Sequence, residues 1–474
     1  MSKIILLDSL GLKPSDVQDI AASTLAGGVG GEVYLARSRT QSLGISAGVI
    51  GGLSVNEDGG GSFRRINGTS ADFTSFSGLS QKDMMQAASD LKNIPNLETS
   101  KGNVVKVTGS FDAKRYQSGG VFGNKTPQDW AQLLKDVDEY VRGKCQYVSN
   151  VQANLVASEE EVVIARADGK FLTDVRPQVR LFMTVTVNKD GRKETGTGNV
   201  GGRFSIENVF DTQAWQAAAD RAIRICENNL TAIDAPSGDG FDIVVCEGWG
   251  GVILHEAFGH SLEADAHRKG EAGFQGMLGK QVASKDVTVY DDGTMFEKRG
   301  SLSFDDEGNP THNNVLVEDG VLVGLMTDEI SARAMNLPIT GNGRRESYDC
   351  KPMPRMTNTV MANGDANVDD LIKDVKEGIY CTSFAGGQVD ITSTQFVFVA
   401  DEARLIQNGK LGPYVKGATL SGMGKTAYMN VDGVAGDSDT GNGNCGKGGQ
   451  SVPVCVGQPT IRIRAGEISV GGTS

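Results

Sequence analysis

Four histidines occur in 474 residues, and three of them, His255, His260 and His267, fall within thirteen positions. The segment His255-Glu256-Ala257-Phe258-Gly259-His260 sets two imidazoles beside a carboxylate. Those residue types suit a zinc centre. Neutral imidazoles bind the ion at about 2.0–2.1 Å, and a catalytic site keeps three protein ligands and one open position for water. The metal lowers the pKa of that water toward ~7, and a neighbouring carboxylate takes its proton as it attacks a carbonyl. Glu256, beside the first imidazole, is placed for that role. The plain alternative is a pair of ordinary histidines on a glycine-rich helix. The pattern's rarity in a chain so poor in histidine, and its place after the apolar run Ile243-Val244-Val245, favour the metal.

The spacing imposes a condition. Histidines four apart on an α-helix differ by about 40° around the axis, whereas five apart differ by about 140°. A regular helix would turn the two rings to different sides, so the segment must contain a wide turn such as a π-bulge, which Gly259 would ease.

Two imidazoles leave one protein ligand to find. Cys445 lies in Gly441-Asn442-Gly443-Asn444-Cys445-Gly446-Lys447-Gly448-Gly449-Gln450, where glycines would let the backbone approach a metal and Lys447 could hold a thiolate. Cys455, in the run Val452-Pro453-Val454-Cys455-Val456, reads more as a strand residue, and the chemistry ranks Cys445 ahead of it. Glu263 and Asp265 are either groups that orient an imidazole or part of a solvated helix face. His267 and His312 read as ordinary surface residues.

The elements that must carry these residues are legible in outline. Residues 1–232 read as mixed α and β, and 233–474 as mostly β, with the boundary in the turn-forming run Asp234–Gly240. Pro14 starts a helix, Ser80 caps one over 81–92, and Asp211 caps another through Cys226. Thr126-Pro127-Gln128-Asp129 is a capping signature for a fourth. Glu32–Arg37 alternates as a strand, followed by a second alternating run through Leu43, Ile45 and Val49. Residues 147–208 form a candidate meander with turns at Asp168-Gly169 and Asp190-Gly191. In the second half, hairpins are predicted at Asp292-Gly293, Asp319-Gly320, Asn408-Gly409 and Asp432-Gly433, and helices over 251–268 and around 367–378.

Bulk properties narrow the function. A formal charge of −13 makes nucleic acid a poor partner, and the doublets Arg64-Arg65 and Arg344-Arg345 read as solvated surface charge. No apolar run approaches the ~18 residues that span a bilayer, and the start of the chain has too short an apolar core for a signal peptide. The seven cysteines are scattered without a Cys-x-x-Cys pair, which points to a reducing cytoplasm rather than a disulfide framework.

The segments Leu254–Asp265, Gly341–Tyr348, Pro354–Thr359, Val415–Leu420 and Cys445–Pro453 resemble, in order, those of the TldD/PmbA family, in the TldD-like branch that keeps the metal motif. The first half matches only in layout, best from Glu32 to Leu43, and the glycine-rich stretch from Asp58 to Phe73 departs from the pattern. The resemblance implies an α+β fold: an N-terminal α/β domain with an antiparallel sheet and flanking helices, then a β-rich C-terminal domain carrying the metal-binding helix. It implies Zn²⁺ held by His255, His260 and Cys445, with Glu256 as general base in a metallopeptidase that hydrolyses peptides or loosely folded small proteins. It also implies a dimer, with a second copy or with a related subunit that lacks the metal motif. The alternative is a non-catalytic, peptide-binding subunit of such a complex, acting through an exposed sheet edge; a closed four-ligand structural metal site is a third reading.

Overall fold

The computed structural model describes residues 5–95, 115–117 and 119–471; of the opening segment, Met1–Ile4 lie outside the described residues. The predicted helices form where their start signals lie. The short helix α1 (Ile5–Leu10) precedes α2 (Pro14–Thr24), and α3 (Gln81–Asn93) begins as Ser80 Oγ accepts from the Asp83 amide. Helix α4 (Pro127–Lys144) has a full capping box between Thr126 and Asp129, and α5 (Thr212–Thr231) is capped by Asp211.

Between them runs a seven-stranded antiparallel sheet of β1 (Gly30–Ser46), β2 (Val49–Ile50), β3 (Ser54–Asn67), β4 (Ser70–Ser77), β5 (Val148–Arg166), β6 (Phe171–Lys189) and β7 (Arg192–Gly202). The two predicted runs at 32–37 and 43–49 are largely one continuous strand, β1, and the turn that ends it is Ala47-Gly48, both at positive φ. Alternation decides what each face meets. Val151, Ala153, Leu155 and Ala157 of β5 pack with Leu181, Met183 and Val185 of β6 against Trp130, Leu134 and Val137 of α4 and Trp215 and Ala222 of α5. Further along β5, Val163 and Ala165 meet α2 and α3, while Val162 and Ile164 face the other way onto Phe304 and Tyr348 of the second half.

That opposite face carries the charges that join the halves. Cross-strand neighbours Glu32, Arg64 and Arg166 form one row. Arg64 pairs with Glu32 at 2.8 Å and Glu307 at 2.7 Å, Arg345 with Glu32 at 2.6 Å, and Arg166 with Glu329 at 3.4 Å. Both predicted surface doublets are therefore buried: Arg65 pairs with Asp72 at 2.6 Å, and Arg344 donates to the Met356 and Pro453 carbonyls. A doublet reads as surface when its counter-charges lie far away in sequence, as Glu307 and Glu329 do. Burial opposes ionisation of Glu32, but Arg64, Arg345 and Arg166 outweigh it and hold its carboxyl below the usual range. Burial and the crowding acids Asp328, Asp305 and Glu329 push Glu307 up against the pull of Arg64.

Among the described residues the second half is built on two further large sheets and a two-stranded ribbon that pairs Gly343–Arg344 with Met353–Pro354. One has nine strands, among them Asp242–Val245, which lies parallel to Glu377–Asp390. The other orders as β10 (Val321–Leu322), β9 (Asn313–Glu318), β8 (Val289–Asp292), β11 (Asn358–Met361), β13 (Gln450–Gln458) and β12 (Asp439–Lys447). Hairpins form as predicted at Asp319-Gly320 and Asn408-Gly409, each with both residues at positive φ. The other two do not form. Asp292 accepts from the Thr294 amide in a local turn that leads into a long connection to β9, and Asp432 lies within the strand Val431–Val434, held by Arg462 and Arg464. The helix expected around 367–378 covers only Val368–Lys373, because Glu377 already begins the next strand. The glycine-rich stretch after Asp58 is strand β3, where a Cβ on Gly60 would come within 2.5 Å of the Tyr348 ring.

Replacing Arg64 with Ala should strip a buried carboxylate of its principal partner and lower stability by about 3 kcal/mol. A urea unfolding midpoint that falls accordingly is the expected result; a loss under about 1 kcal/mol would show that the row does not hold the halves together.

Candidate metal centre

The segment from 251 to 269 is not one helix. Helix α6 (Gly251–Ala257) ends at Phe258, whose φ of −117° and ψ of −56° leave the regular path. A 3-10 turn over Gly259–Leu262 follows, and then α7 (Ala264–Lys269). The predicted irregularity is present in the opposite sense: the chain breaks and tightens where a widened π-turn was expected. Phe258 anchors the break, with its ring 4.8 Å from that of Phe274 and 5.1 Å from that of Tyr428, centre to centre. The Leu262 carbonyl accepts from the Met326 amide and the Met326 carbonyl from the Ala264 amide, which pins the exit of the turn. Gly259 serves packing more than backbone freedom, since a Cβ there would lie 2.2 Å from Met356 Sδ.

With the helix broken, the rings of His255 and His260 converge, their centres 5.1 Å apart and their planes at 80°. Cys445, on β12, brings its Sγ to 3.4 Å from His260 Nε2. One donor atom from each of His255, His260 and Cys445 lies within 4.8 Å of the others, and all three residues are buried. The 3.4 Å separation is close to the ~3.5 Å between a nitrogen and a sulfur ligand on a tetrahedral zinc ion. His255 Nδ1 is buried with no hydrogen-bond partner. Two imidazoles and a thiolate form a donor set that suits zinc, so the residues present fit the ion. Cys455 lies elsewhere, buried in β13, its thiol pushed up to about 11 mainly by burial.

The cluster is held by identifiable contacts. Helix α6 lies against β13, the partner of the strand that bears Cys445; a Cβ on Gly251 would come within 2.8 Å of the Gly457 backbone. The glycines before Cys445 make room for Trp249, whose ring lies 2.6 Å from a Cβ placed on Gly441, rather than for a metal. Those after it, Gly448 and Gly449, adopt positive φ and form the hairpin turn between β12 and β13. The Arg355 guanidinium donates to the Cys445 carbonyl, and Thr357, two residues on, is fixed by the buried Asp291.

Glu263 takes the orienting role. Its Oε2 lies 3.0 Å from His260 Nδ1, which fixes that nitrogen as the donor and leaves Nε2 facing Cys445. Lys447 binds Glu263 at 3.0 Å and Asp265 at 2.7 Å. Lys447 thus acts on the two carboxylates and not on the thiol. Burial would raise the Glu263 carboxyl, yet Lys447 and His260 bring it down to about 2. Burial likewise opposes charge on His260 and Cys445, but Glu263 and Cys445 hold the imidazole pKa well up, and His255 and His260 hold the thiol well down. Glu256 is the more open member of the group, with its Oε2 3.8 Å from His260 Nε2 and its side chain 23% exposed. His267 is buried, its Nε2 bonded to the Ser261 carbonyl at 2.8 Å, so it braces the turn and is not the surface residue expected. His312 is exposed, as expected.

Comparisons with known proteins point to metallopeptidases. Residues 237–472 match the PmbA/TldA metallopeptidase C-terminal domain, and 121–230 the PmbA/TldA metallopeptidase central domain. A metalloprotease TldD homolog of Haemophilus influenzae is 42% identical over 453 residues, covering 94% of this chain and 93% of that protein. A zinc metalloprotease TldD homolog of Saccharolobus solfataricus is 30% identical over 268 residues, covering 56% and 58%. The fold matches that of crystalline TldE from Thermococcus kodakarensis with a TM-score of 0.77 and 16% identity, over 96% of this chain and 100% of that one.

Removing the Glu263 carboxylate should loosen the His260 ring. Glu263→Gln is expected to weaken zinc binding by about 10- to 100-fold in a chelator competition. Unchanged affinity in that variant would remove Glu263 from the site.

Proposed function

The chain belongs to the PmbA/TldD family of metallopeptidases, and from that premise we propose that it is a zinc-dependent peptidase acting at His255, His260 and Cys445 with Glu256 as general base. The observation that carries the reading is the convergence of two imidazoles and a thiol, 185 residues apart in sequence between His260 and Cys445, beside a partly open carboxylate. A bound zinc ion would supply Lewis acidity toward water and toward the carbonyl under attack.

The chain's own residues divide the remaining work. His255, His260 and Cys445, all three buried, would hold the ion. Glu263 presents His260 through Nδ1, so that its Nε2 lone pair is directed at the site. Glu256 takes a proton from the attacking water and delivers it to the departing amine, a task suited to the member of the group that solvent and substrate reach. A closed structural site would have no use for a carboxylate at this place, which favours hydrolysis over a non-catalytic role.

The reading includes peptides or loosely folded small proteins as substrates, a cytoplasmic location, and a dimer with a second copy or with a related subunit that lacks the metal motif. The cysteines are all free, which accords with a reducing compartment. Among the described residues, no helix is long and apolar enough to cross a membrane.

Glu256→Gln should retain zinc while losing at least about a hundredfold in peptide turnover, measured by mass spectrometry on an unfolded substrate. Turnover equal to that of the unaltered protein, at equal metal content, would refute the assigned role.

A further inference from the structure

Among the described residues, most buried arginines meet a carboxylate, whereas the half-buried Arg180 and Arg299 do not. Arg299 donates from Nε to the Gly443 carbonyl at 3.1 Å, from Nη1 to Gln178 Oε1 at 2.9 Å, and from Nη2 to Asn444 Oδ1 at 2.8 Å. Gln178 returns a bond to the Arg299 carbonyl at 2.9 Å. Arg180 stands two residues from Gln178 on β6 and so projects from the same face. Its guanidinium lies 5.0 Å from the centre of the Phe182 ring, and its Nε is buried with no hydrogen-bond partner. Burial and the neighbouring guanidiniums of Arg180, Arg203 and Arg344 press the Arg299 pKa down, and burial presses down that of Arg180; among the described residues no carboxylate counters either shift. Arg203 and Arg344 do feel acids nearby, Asp174 and Asp306 among them. Arg355 also meets no carboxylate but is fully buried on the Gln450 and Cys445 carbonyls, so of these arginines Arg180 and Arg299 are the ones whose uncompensated charge lies within reach of solvent.

This concentration is unusual in a chain of net charge −13, where carboxylates outnumber cations. Its position matters as well. Asn444, which accepts from Arg299, directly precedes Cys445, and Gly443 precedes Asn444. Side chains alternate along β12, so the exposed Asn444 and the guanidiniums lie across the strand from the buried thiol. Among the described residues β12 is the outermost strand of its sheet, so a substrate that rounds it from the donor cluster, at about 3.3 Å per residue, would meet the guanidiniums a few residues from the cleaved bond.

We infer that Arg180 and Arg299 form an anion subsite that takes a carboxylate of the peptide substrate, contributed by its C-terminus or by an acidic side chain close to the cleaved bond. The inference rests on the peptidase reading above and specifies its substrate class. Two guanidiniums offer planar, multiple hydrogen bonds to a carboxylate, a geometry a lone lysine would not provide. Arg180 contributes the terminal N–H groups of a half-buried guanidinium whose buried Nε has no partner among the described residues, and Arg299 is held in place by Gln178 and Asn444 so that little ordering cost falls on binding.

The test is a calorimetric titration of the zinc-loaded Glu256→Gln protein, which separates binding from turnover. The probes are N-acetyl-pentaalanine with a free C-terminus, the same peptide as its C-terminal amide, and amidated peptides with Glu or Gln at each internal position. The free acid, or one Glu peptide, should bind about tenfold more tightly than its neutral counterpart, and the advantage should shrink as salt rises. Which probe gains tells the C-terminus from a side chain. Adding Arg180→Gln or Arg299→Gln should abolish the difference and leave the binding of the neutral peptide unchanged. Equal binding of acid and amide forms by the parent, with no Glu peptide favoured, overturns the subsite, as does a preference that survives both arginine substitutions. Discrimination without any cleavage by the Glu256-containing protein would overturn the peptidase reading and leave the subsite standing; cleavage without discrimination would do the reverse.

Discussion

Two imidazoles five residues apart cannot face one point from an unbroken α-helix, and everything around the donor cluster follows from how the chain meets that constraint. Phe258 leaves the helical path, its ring is trapped between Phe274 and Tyr428, and the 3-10 turn that follows swings His260 toward His255. The break would fray without its exit bonds to Met326 and without Met356 filling the space that Gly259 vacates. Bringing Cys445 in from 185 residues away adds little entropic cost, because loop closure grows only logarithmically, about 0.6 kcal/mol for each doubling of length. The cost lies in precision, and close backbone contacts between α6 and β13 supply it.

The same economy of charge runs through the molecule in two different forms. Where the N-terminal sheet meets the second half, buried arginines are matched by carboxylates from both sides, Glu32 against Arg64 and Arg345, Asp306 against Arg176. Such pairs contribute little net stability against an apolar core, but they penalise any displacement that would leave one charge alone. Around the donor cluster, Lys447, Glu263 and His260 form a shorter chain of the same kind, which fixes a ring orientation. A surface built to lock positions is what a site of three distant donors requires.

Much of this was legible in the residues themselves. Caps and turn dipeptides act locally, so Thr126, Asp211, Asp190-Gly191 and Asn408-Gly409 announced the elements they start or end. The histidine spacing demanded an irregular helix, and the chemistry ranked Cys445 above Cys455. What sequence did not disclose depends on distant partners. Arg64 and Arg345 looked solvated because Glu32 and Glu307 come from the other half. The glycines before Cys445 looked like a metal approach, and only the position of Trp249 reveals their use. Asp432-Gly433 mimicked a hairpin turn because the arginines that hold it within a strand lie some thirty residues on.

The central claim is that His255, His260 and Cys445, and not Cys455, make one metal site. It is tested most directly by zinc content after chelation and reloading, measured by elemental mass spectrometry on the unaltered protein, Cys445→Ser and Cys455→Ser. The account predicts about one zinc per chain for the unaltered protein and for Cys455→Ser, and a marked loss for Cys445→Ser with its fold intact by circular dichroism. Full zinc retention by Cys445→Ser, or its loss from a folded Cys455→Ser, would contradict the account.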